Sequence, residues 1–275
     1  MLGQILTVNS DNILTIAIAT LSANRSYVID YAINVCGKIP NSVNFLIISQ
    51  LEEANEVEKI SDSITLIRRS DKGLAKSRNV AIDNCESTWI WFQDDDIKLI
   101  LDRVASLVGF LETAACEFVL GQVGSLENED EFFKDYARYN VNAVLLSFRI
   151  SSIEIIARTD FLKKKHIRFD ENLGLGSKLP SCEENLFFYD SVVRNKARYS
   201  CYEKSICLHT KVLESRCIDY EGRYRARGYF LGKIRSLTSA IILVWWAIRK
   251  TSDGVSRISR LRLMLQGFRG CSRDI

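Results

Sequence analysis

A chain of 275 residues with 47% hydrophobic and 26% charged residues can bury a sizeable core, which excludes disorder and a disulfide-stapled miniature. Eight cysteines form no CxxC pair and only two histidines are present, so a structural zinc set is not expected, and scattered thiols point to a reducing cytosol. The net charge of +3 hides a gradient: residues 191–275 carry 18 Lys and Arg against 6 Asp and Glu, a net +12, whereas residues 1–190 carry 19 against 28, a net −9.

The N-terminal MLGQILTVNSDN has no basic segment followed by an apolar one, and it does not read as a secretory signal. ILTIAIAT (13–20) is a β-branched apolar run that predicts a first strand. ANRSYVIDYAINVCG (23–37) has helical spacing and ends in Gly, and VNFLIISQ (43–50) predicts a second strand. SITLIRR (63–69), KSRNVAIDNC (76–85) and STWIWFQ (87–93) read as strand, helix and strand. Alternation at this spacing predicts a parallel α/β sheet flanked by helices, in which ligands bind beyond the carboxyl ends of the strands. Three consecutive carboxylates, Asp94, Asp95 and Asp96, stand at one such end. Adjacent like charges repel, so a cation is expected among them.

Mg²⁺ and Mn²⁺ take oxygen ligands, and Mg²⁺ is commonly held by one or two carboxylates plus substrate phosphates. Aspartates on a tight turn supply such a partial shell. Upstream, SDKGLAKSRNVAI (70–82) places Gly73 at a turn and Lys72, Lys76 and Arg78 around a helix start, where free N–H groups favour anions. A solvated acidic turn and a solvated basic helix face are the plain alternatives. Residues 98–114 read as an amphipathic helix, 117–125 as strand and turn, and 144–162 as strand running into a short helix; all three are expected scaffold.

In SCEENLFFYD the pair Glu183 and Glu184 precedes Leu186, Phe187, Phe188 and Tyr189, which predicts acids at a helix N-terminus. Glu in water is ionised at neutral pH and can accept a proton from an attacking hydroxyl, though the same residues could simply cap the helix. GLGSKLPS (174–181), just before, reads either as a loop able to close over a ligand or as a surface turn. His166 reads as a surface residue.

SDKGLAKSRNVAIDNCESTWIWFQDDDI resembles the nucleotide-binding half of glycosyltransferase family 2, whose Gly-x-x-x-x-Arg-Asn helix precedes a strand ending in a metal-binding DxD. The resemblance continues through FDENLGLGSKLPSCEENLFFYD (169–190), LHT and EGRYRARGYF, covering about residues 13 to 232. It implies a GT-A (Rossmann-like) fold with a mixed, mainly parallel sheet. It further implies Mn²⁺ or Mg²⁺ as cofactor, a nucleotide-diphosphate sugar donor, and a saccharide acceptor of the lipid-linked kind used in bacterial cell-surface polysaccharide synthesis.

Residue by residue, the resemblance implies Glu184 as base with Glu183 orienting the acceptor, and Thr20, Gln50, Lys72, Arg78 and Asp94 on the donor. Asp95, Asp96 and His209 are the implied metal ligands. Aligning the strand puts Gln93 at the family's first Asp and Asp94 in a variable slot, which favours Asp95 and Asp96. Gln50 stands where many relatives carry an acid that holds the base. A lone histidine such as His209 is more often structural, and that reading stays open.

In the basic C-terminal third, EGRYRARGYFLGKIR (221–235) alternates Arg and Tyr but carries no RNA-binding signature, so nucleic acid is not the expected partner. LTSAIILVWWAI (237–248) has twelve uncharged residues, short of the roughly 20 a spanning helix needs. VSRISRLRLMLQGF (255–268) spaces Val255, Ile258, Leu261, Leu265 and Phe268 at helical intervals with Arg257, Arg260 and Arg262 elsewhere. Together with Trp245 and Trp246 this suits a bilayer surface, against a core helix or a homodimer contact.

The expected organisation is a catalytic domain over 1–235, with its nucleotide half ending near residue 100, and a helical basic extension over 236–275. The expected activity is an inverting, metal-dependent glycosyltransferase in the cytoplasm, with peripheral attachment to the inner face of the plasma membrane as an open alternative. A nucleotidyltransferase remains an alternative, although TLSANRS after the first strand lacks the glycines its phosphate loop would want. A non-catalytic binder using the basic C-terminus is the other.

Overall fold

The computed structural model describes residues 12–128, 131–139, 141–210, 219–249 and 253–271. The chain opens with β1 (Leu14–Leu21), α1 (Arg25–Cys36), β2 (Val43–Gln50), β3 (Glu56–Ser61), β4 (Ile64–Arg68), α2 (Leu74–Asn84) and β5 (Trp89–Asp94). β1 pairs in parallel with β2 and β5, and β2 with β4, so the sheet predicted from the alternation forms as expected. The sequence reading missed β3. Its six residues are largely exposed and carry charge, because it is an antiparallel edge strand that Arg68 of β4 ties down through Glu56 and Glu58.

The second half adds β6 (Lys98–Leu99), α3 (Leu101–Thr113), β7 (Phe118–Ser125), α4 (Ala143–Leu146), β8 (Ile155–Arg158), α5 (Thr159–Lys164), α6 (Glu183–Phe188) and β9 (Tyr199–His209). The sheet order is β3-β4-β2-β1-β5-β8-β7-β9-β6, nine strands in one mixed sheet. β8 is antiparallel to both β5 and β7, while β7 and β9 run parallel. Apolar clusters fill both faces, one centred on Trp89, Trp91 and Phe45, the other on Phe92, Phe118 and Phe187. Burial on both faces explains why the central strands read as continuous hydrophobic runs.

Three helices close the chain: α7 (Tyr220–Ile234), α8 (Leu237–Ile248) and α9 (Arg257–Gly270). They form one layer against residues of the second half, and Arg235, left-handed (φ 49°), links α7 to α8. α7 and α9 approach closely because Gly228 leaves room for the Met264 carbonyl and Gly267 for the Arg225 carbonyl. A Cβ at either glycine would sit 1.9 Å from that oxygen.

This contact selects which face of α9 is buried. Arg260, Leu263, Met264 and Gly267 go inside, and Ile258 from the predicted apolar stripe is left 77% exposed. Backbone proximity at small residues overrides the periodicity of the large ones.

Candidate active site

β5 ends at Asp94, and the turn that follows delivers the acids to the carboxyl edge of the parallel strands. A cleft of about 640 Å³ opens there, bordered by Thr20 and Asn24 after β1, Gln50 after β2, Lys72 before α2, and the Leu175–Gly176 turn. Asp94, Asp95, Asp96 and His209 all line it. The acids therefore face a shared cavity rather than open water.

The three aspartates separate by function of their neighbours. Asp94, Asp96 and His209 bring ligand atoms within 4.8 Å of one another, with His209 Nε2 3.5 Å from Asp96 Oδ1. Asp95 turns away from that group, and its Oδ2 accepts hydrogen bonds from Thr20 Oγ1 (2.7 Å) and Asn24 Nδ2 (3.1 Å). The expectation that Asp95 leads the metal set is thus not where the geometry puts it: the first and third acids converge and the middle one anchors the β1 loop.

The donor set suits a hard divalent cation. It offers two carboxylates and an imidazole whose Nδ1 lies 2.7 Å from the Thr210 carbonyl. With Nδ1–H donating to that carbonyl, the Nε2 lone pair is presented to Asp96, the arrangement that orients metal-bound histidines. β9 carries His209 there because its paired partner β7 runs alongside as far as Ser125.

Arg78 is the centre of the arrangement. It is 3% exposed, so it does not reach into the cleft as the phosphate-facing cation expected from the sequence. Its Nη2 donates to Asp94 Oδ1 (3.1 Å) and Ser152 Oγ (2.7 Å), and its Nη1 to Glu183 Oε1 (3.0 Å), while the guanidinium lies 5.5 Å from the Phe169 ring centre. One buried fork therefore holds an acid from the sheet and an acid from α6. Burial of Asp94 raises its carboxyl pKa, the Arg78 charge opposes this, and Asp96 and Glu183 push it upward again.

Asn79, the next residue, performs the matching task on backbone. Its side chain donates to the Phe169 carbonyl (3.0 Å) and accepts from the Phe169 N–H (2.8 Å), and the Phe169 ring stacks on Phe187 of α6 with centroids 3.9 Å apart. The Arg-Asn pair on α2 thus fixes the helix bearing Glu183 and Glu184.

Glu183 and Glu184 occupy the first turn of α6, entered through Cys182 in a left-handed conformation (φ 71°). Glu183 is buried and engaged by Arg78, whereas Glu184 is only half-buried and has no such cation among the described residues. Desolvation first, and then the charge of Glu183, raise Glu184 well above the ordinary value near 4.5. A carboxylate in that state is a stronger base than one in water.

The 174–181 stretch is folded back on itself, with Gly174 N–H donating to Leu179 O and Ser177 Oγ bonding the carbonyls of Asn172, Gly174 and Leu179. Gly174 (φ 96°) lets it rest on Glu183, and Gly176 (φ 86°) lets it rest on the Lys72 side chain and the Gly73 backbone. It is a wall of the cleft, pinned by the bond from Leu74 N–H to Leu175 O (2.9 Å).

Gln50 accepts from the Gly73 N–H (2.8 Å), which fixes the Gly73 turn (φ 143°) at the start of α2, and Lys72 borders the cleft as an exposed cation. The acid sought after β2 stands two residues further on. Glu52 is bound by Ser49 and Arg25; burial raises its pKa, but those two partners outweigh burial and hold it below the usual range. The sequence offered no marker for it beyond a charged loop.

Residues 49–171 match the model of glycosyl transferase family 2. This span contains Gln50, Lys72, Arg78 and the three aspartates; Glu183, Glu184 and His209 lie beyond it. The mixed sheet flanked by helices is the GT-A fold, shared with solved glycosyltransferases at low identity.

TarS of S. aureus, residues 1–349, aligns at 17% identity and a TM-score of 0.59 in its complex with UDP, over 86% of this chain and 70% of that one. Its complex with UDP-GlcNAc aligns at 18% and 0.60, over the same shares. The mannosyltransferase PcManGT from Pyrobaculum calidifontis, in complex with GDP-Man and Mn²⁺, aligns at 13% and 0.50, over 94% of this chain and 74% of that one. No curated protein matches the chain in sequence.

Proposed function

We propose that the chain is an inverting glycosyltransferase moving a sugar from a nucleotide-diphosphate donor to a hydroxyl of a saccharide acceptor. The observation that carries this reading is the convergence of Asp94, Asp96 and His209 in a cleft whose acids are linked through Arg78 to the Glu183–Glu184 pair. The structural likeness to enzymes solved with UDP-GlcNAc and with GDP-Man and Mn²⁺ supports the donor class and the metal.

Asp94, Asp96 and His209 would hold Mn²⁺ or Mg²⁺. Bound there, such an ion supplies Lewis-acid charge against the departing diphosphate. Lys72 adds a mobile cation on the facing wall, and Thr20, Asn24 and Asp95 hold the floor after β1 in shape. Arg78 positions rather than binds, keeping the metal-side acid and the base-side acid in fixed register.

Glu184 accepts the proton of the acceptor hydroxyl as its oxygen attacks the anomeric carbon. The bond to the diphosphate breaks on the opposite side, so the anomeric configuration inverts. Desolvation makes Glu184 a stronger base than a carboxylate in water, and Glu183, paired with Arg78, orients it. A lipid-linked saccharide of bacterial cell-surface polysaccharide synthesis is the acceptor class the resemblance favours.

The direct test is a panel of nucleotide sugars assayed for Mn²⁺-dependent release of nucleoside diphosphate. Turnover of at least one donor, abolished by chelation, is expected; a panel with no metal-dependent release would reject the reading.

A further inference from the structure

The C-terminal layer carries a surface that the cleft chemistry does not use. On α8, Ile241, Val244, Trp245 and Ile248 are 69%, 50%, 54% and 55% exposed. Their spacing of three, one and three residues puts them on one stripe of one helix, and large apolar groups concentrated this way on a surface mark an interaction site. The opposite side of α8 is anchored: Leu243 and Ala247 are buried against Tyr224, Leu231 and Met264, and Trp246 packs edge-on against Phe148 at 5.4 Å. The stripe is therefore the outer face of a docked helix.

Charge identifies what covers it. Residues 222–273 hold 12 Lys and Arg and one acid, Asp253, which accepts from Tyr224 Oη and the Val255 N–H. Exposed Arg235 and Arg249 stand just before and just after α8, and Arg249 lies over the Trp245 ring at 5.5 Å. On α9, Arg257, Arg262 and Arg269 are exposed as well.

A second copy of the chain would bring like charges together along this face. A nucleic acid would match the charge but leave the aliphatic stripe uncovered. An anionic bilayer satisfies both at once, with apolar side chains at the acyl boundary, arginines among the headgroups and a tryptophan at the interface. No helix among the described residues is long and apolar enough to cross a membrane, and a 12-residue helix spans only about 18 Å against a hydrocarbon core of roughly 30 Å.

We propose that α8 lies flat on an anionic lipid surface, with Ile241, Val244, Trp245 and Ile248 inserted and the flanking arginines in the headgroup layer. The contact is independent of the cleft, so it stands or falls separately from the proposed transfer activity.

The test is sedimentation of the full chain with phosphatidylcholine vesicles and with phosphatidylcholine vesicles containing phosphatidylglycerol. Binding to the anionic vesicles alone, weakened by salt, is expected. A double variant, Ile241→Glu with Trp245→Glu, should bind roughly tenfold or more weakly while keeping its melting temperature and donor turnover. Arg249→Gln, which leaves the stripe intact, should reduce binding by about fivefold, the share of one cation near such a surface. Equal binding to neutral vesicles, binding unchanged in both variants, or no vesicle binding with a concentration-dependent dimer lost in the double variant would each overturn the proposal.

Discussion

The two acid groups joined by Arg78 solve the same electrostatic problem in opposite ways. Asp94 and Asp96 sit at the end of a strand with a histidine within ligating distance, an arrangement that an external cation would complete. Glu183 and Glu184 sit at the start of a helix with one buried arginine between them and the sheet, so one is neutralised and the other is driven toward holding a proton. Clustered carboxylates by themselves do not name a role; the cation each one faces does. Arg78 touches both groups, and it is the residue through which the difference can be broken.

Arg78→Met should have the largest effect. It leaves Asp94 and Glu183 buried without their shared partner, a change that typically costs about 3–5 kcal/mol. Chemical denaturation should register that loss, and transfer should vanish with it. A variant of unaltered stability would mean that the fork is not holding the two acids.

Asp96→Ala should abolish Mn²⁺-dependent donor turnover, whereas Asp95→Asn, which keeps a side-chain oxygen for Thr20 and Asn24, should retain most of it. Steady-state assays of the two variants side by side discriminate a set built on Asp94 and Asp96 from one built on Asp95.

Glu184→Gln should reduce transfer by about 10²–10⁴-fold while leaving donor affinity intact, the signature of a lost general base. In the parent protein the acid limb of the pH profile should lie above the ordinary carboxylate range, because Glu184 must be ionised to act and its pKa is raised.

The smallest effect concerns stability. A carboxyl raised in the folded state binds its proton more tightly than in the unfolded chain. Its contribution is present below pH 4.5 and is lost as pH rises through the raised value. Glu184→Gln should therefore melt higher than the parent at pH 8 and no higher at pH 4. A lower melting temperature at pH 8 would show that the ionised carboxylate is well solvated.

How much of this was legible in the sequence differs between the halves. The first half is written in period: apolar runs at 13–20, 43–50 and 87–93 became β1, β2 and β5, and DDD stood at the end of β5. β3 escaped because an edge strand carries charges in place of an apolar run. The second half depends on contacts between residues distant in sequence, and those are not written in any local pattern.

The pairing of Arg78 with Glu183 spans 105 positions, and that of Asn79 with Phe169 spans 90. The choice among Asp94, Asp95 and Asp96 turned on one side-chain alternation that a motif cannot fix without knowing where His209 and Thr20 lie. Likewise, of Trp245 and Trp246, only Trp245 faces outward, because Phe148 claims the other.

The central claim, that Asp94, Asp96 and His209 hold a divalent ion against a donor's diphosphate, is tested most directly by calorimetric titration of nucleoside diphosphates in the presence and absence of Mn²⁺. The account expects metal-dependent heat for at least one nucleotide, lost in Asp94→Ala and Asp96→Ala and kept in Asp95→Asn. Metal-dependent heat that survives in both alanine variants would contradict it.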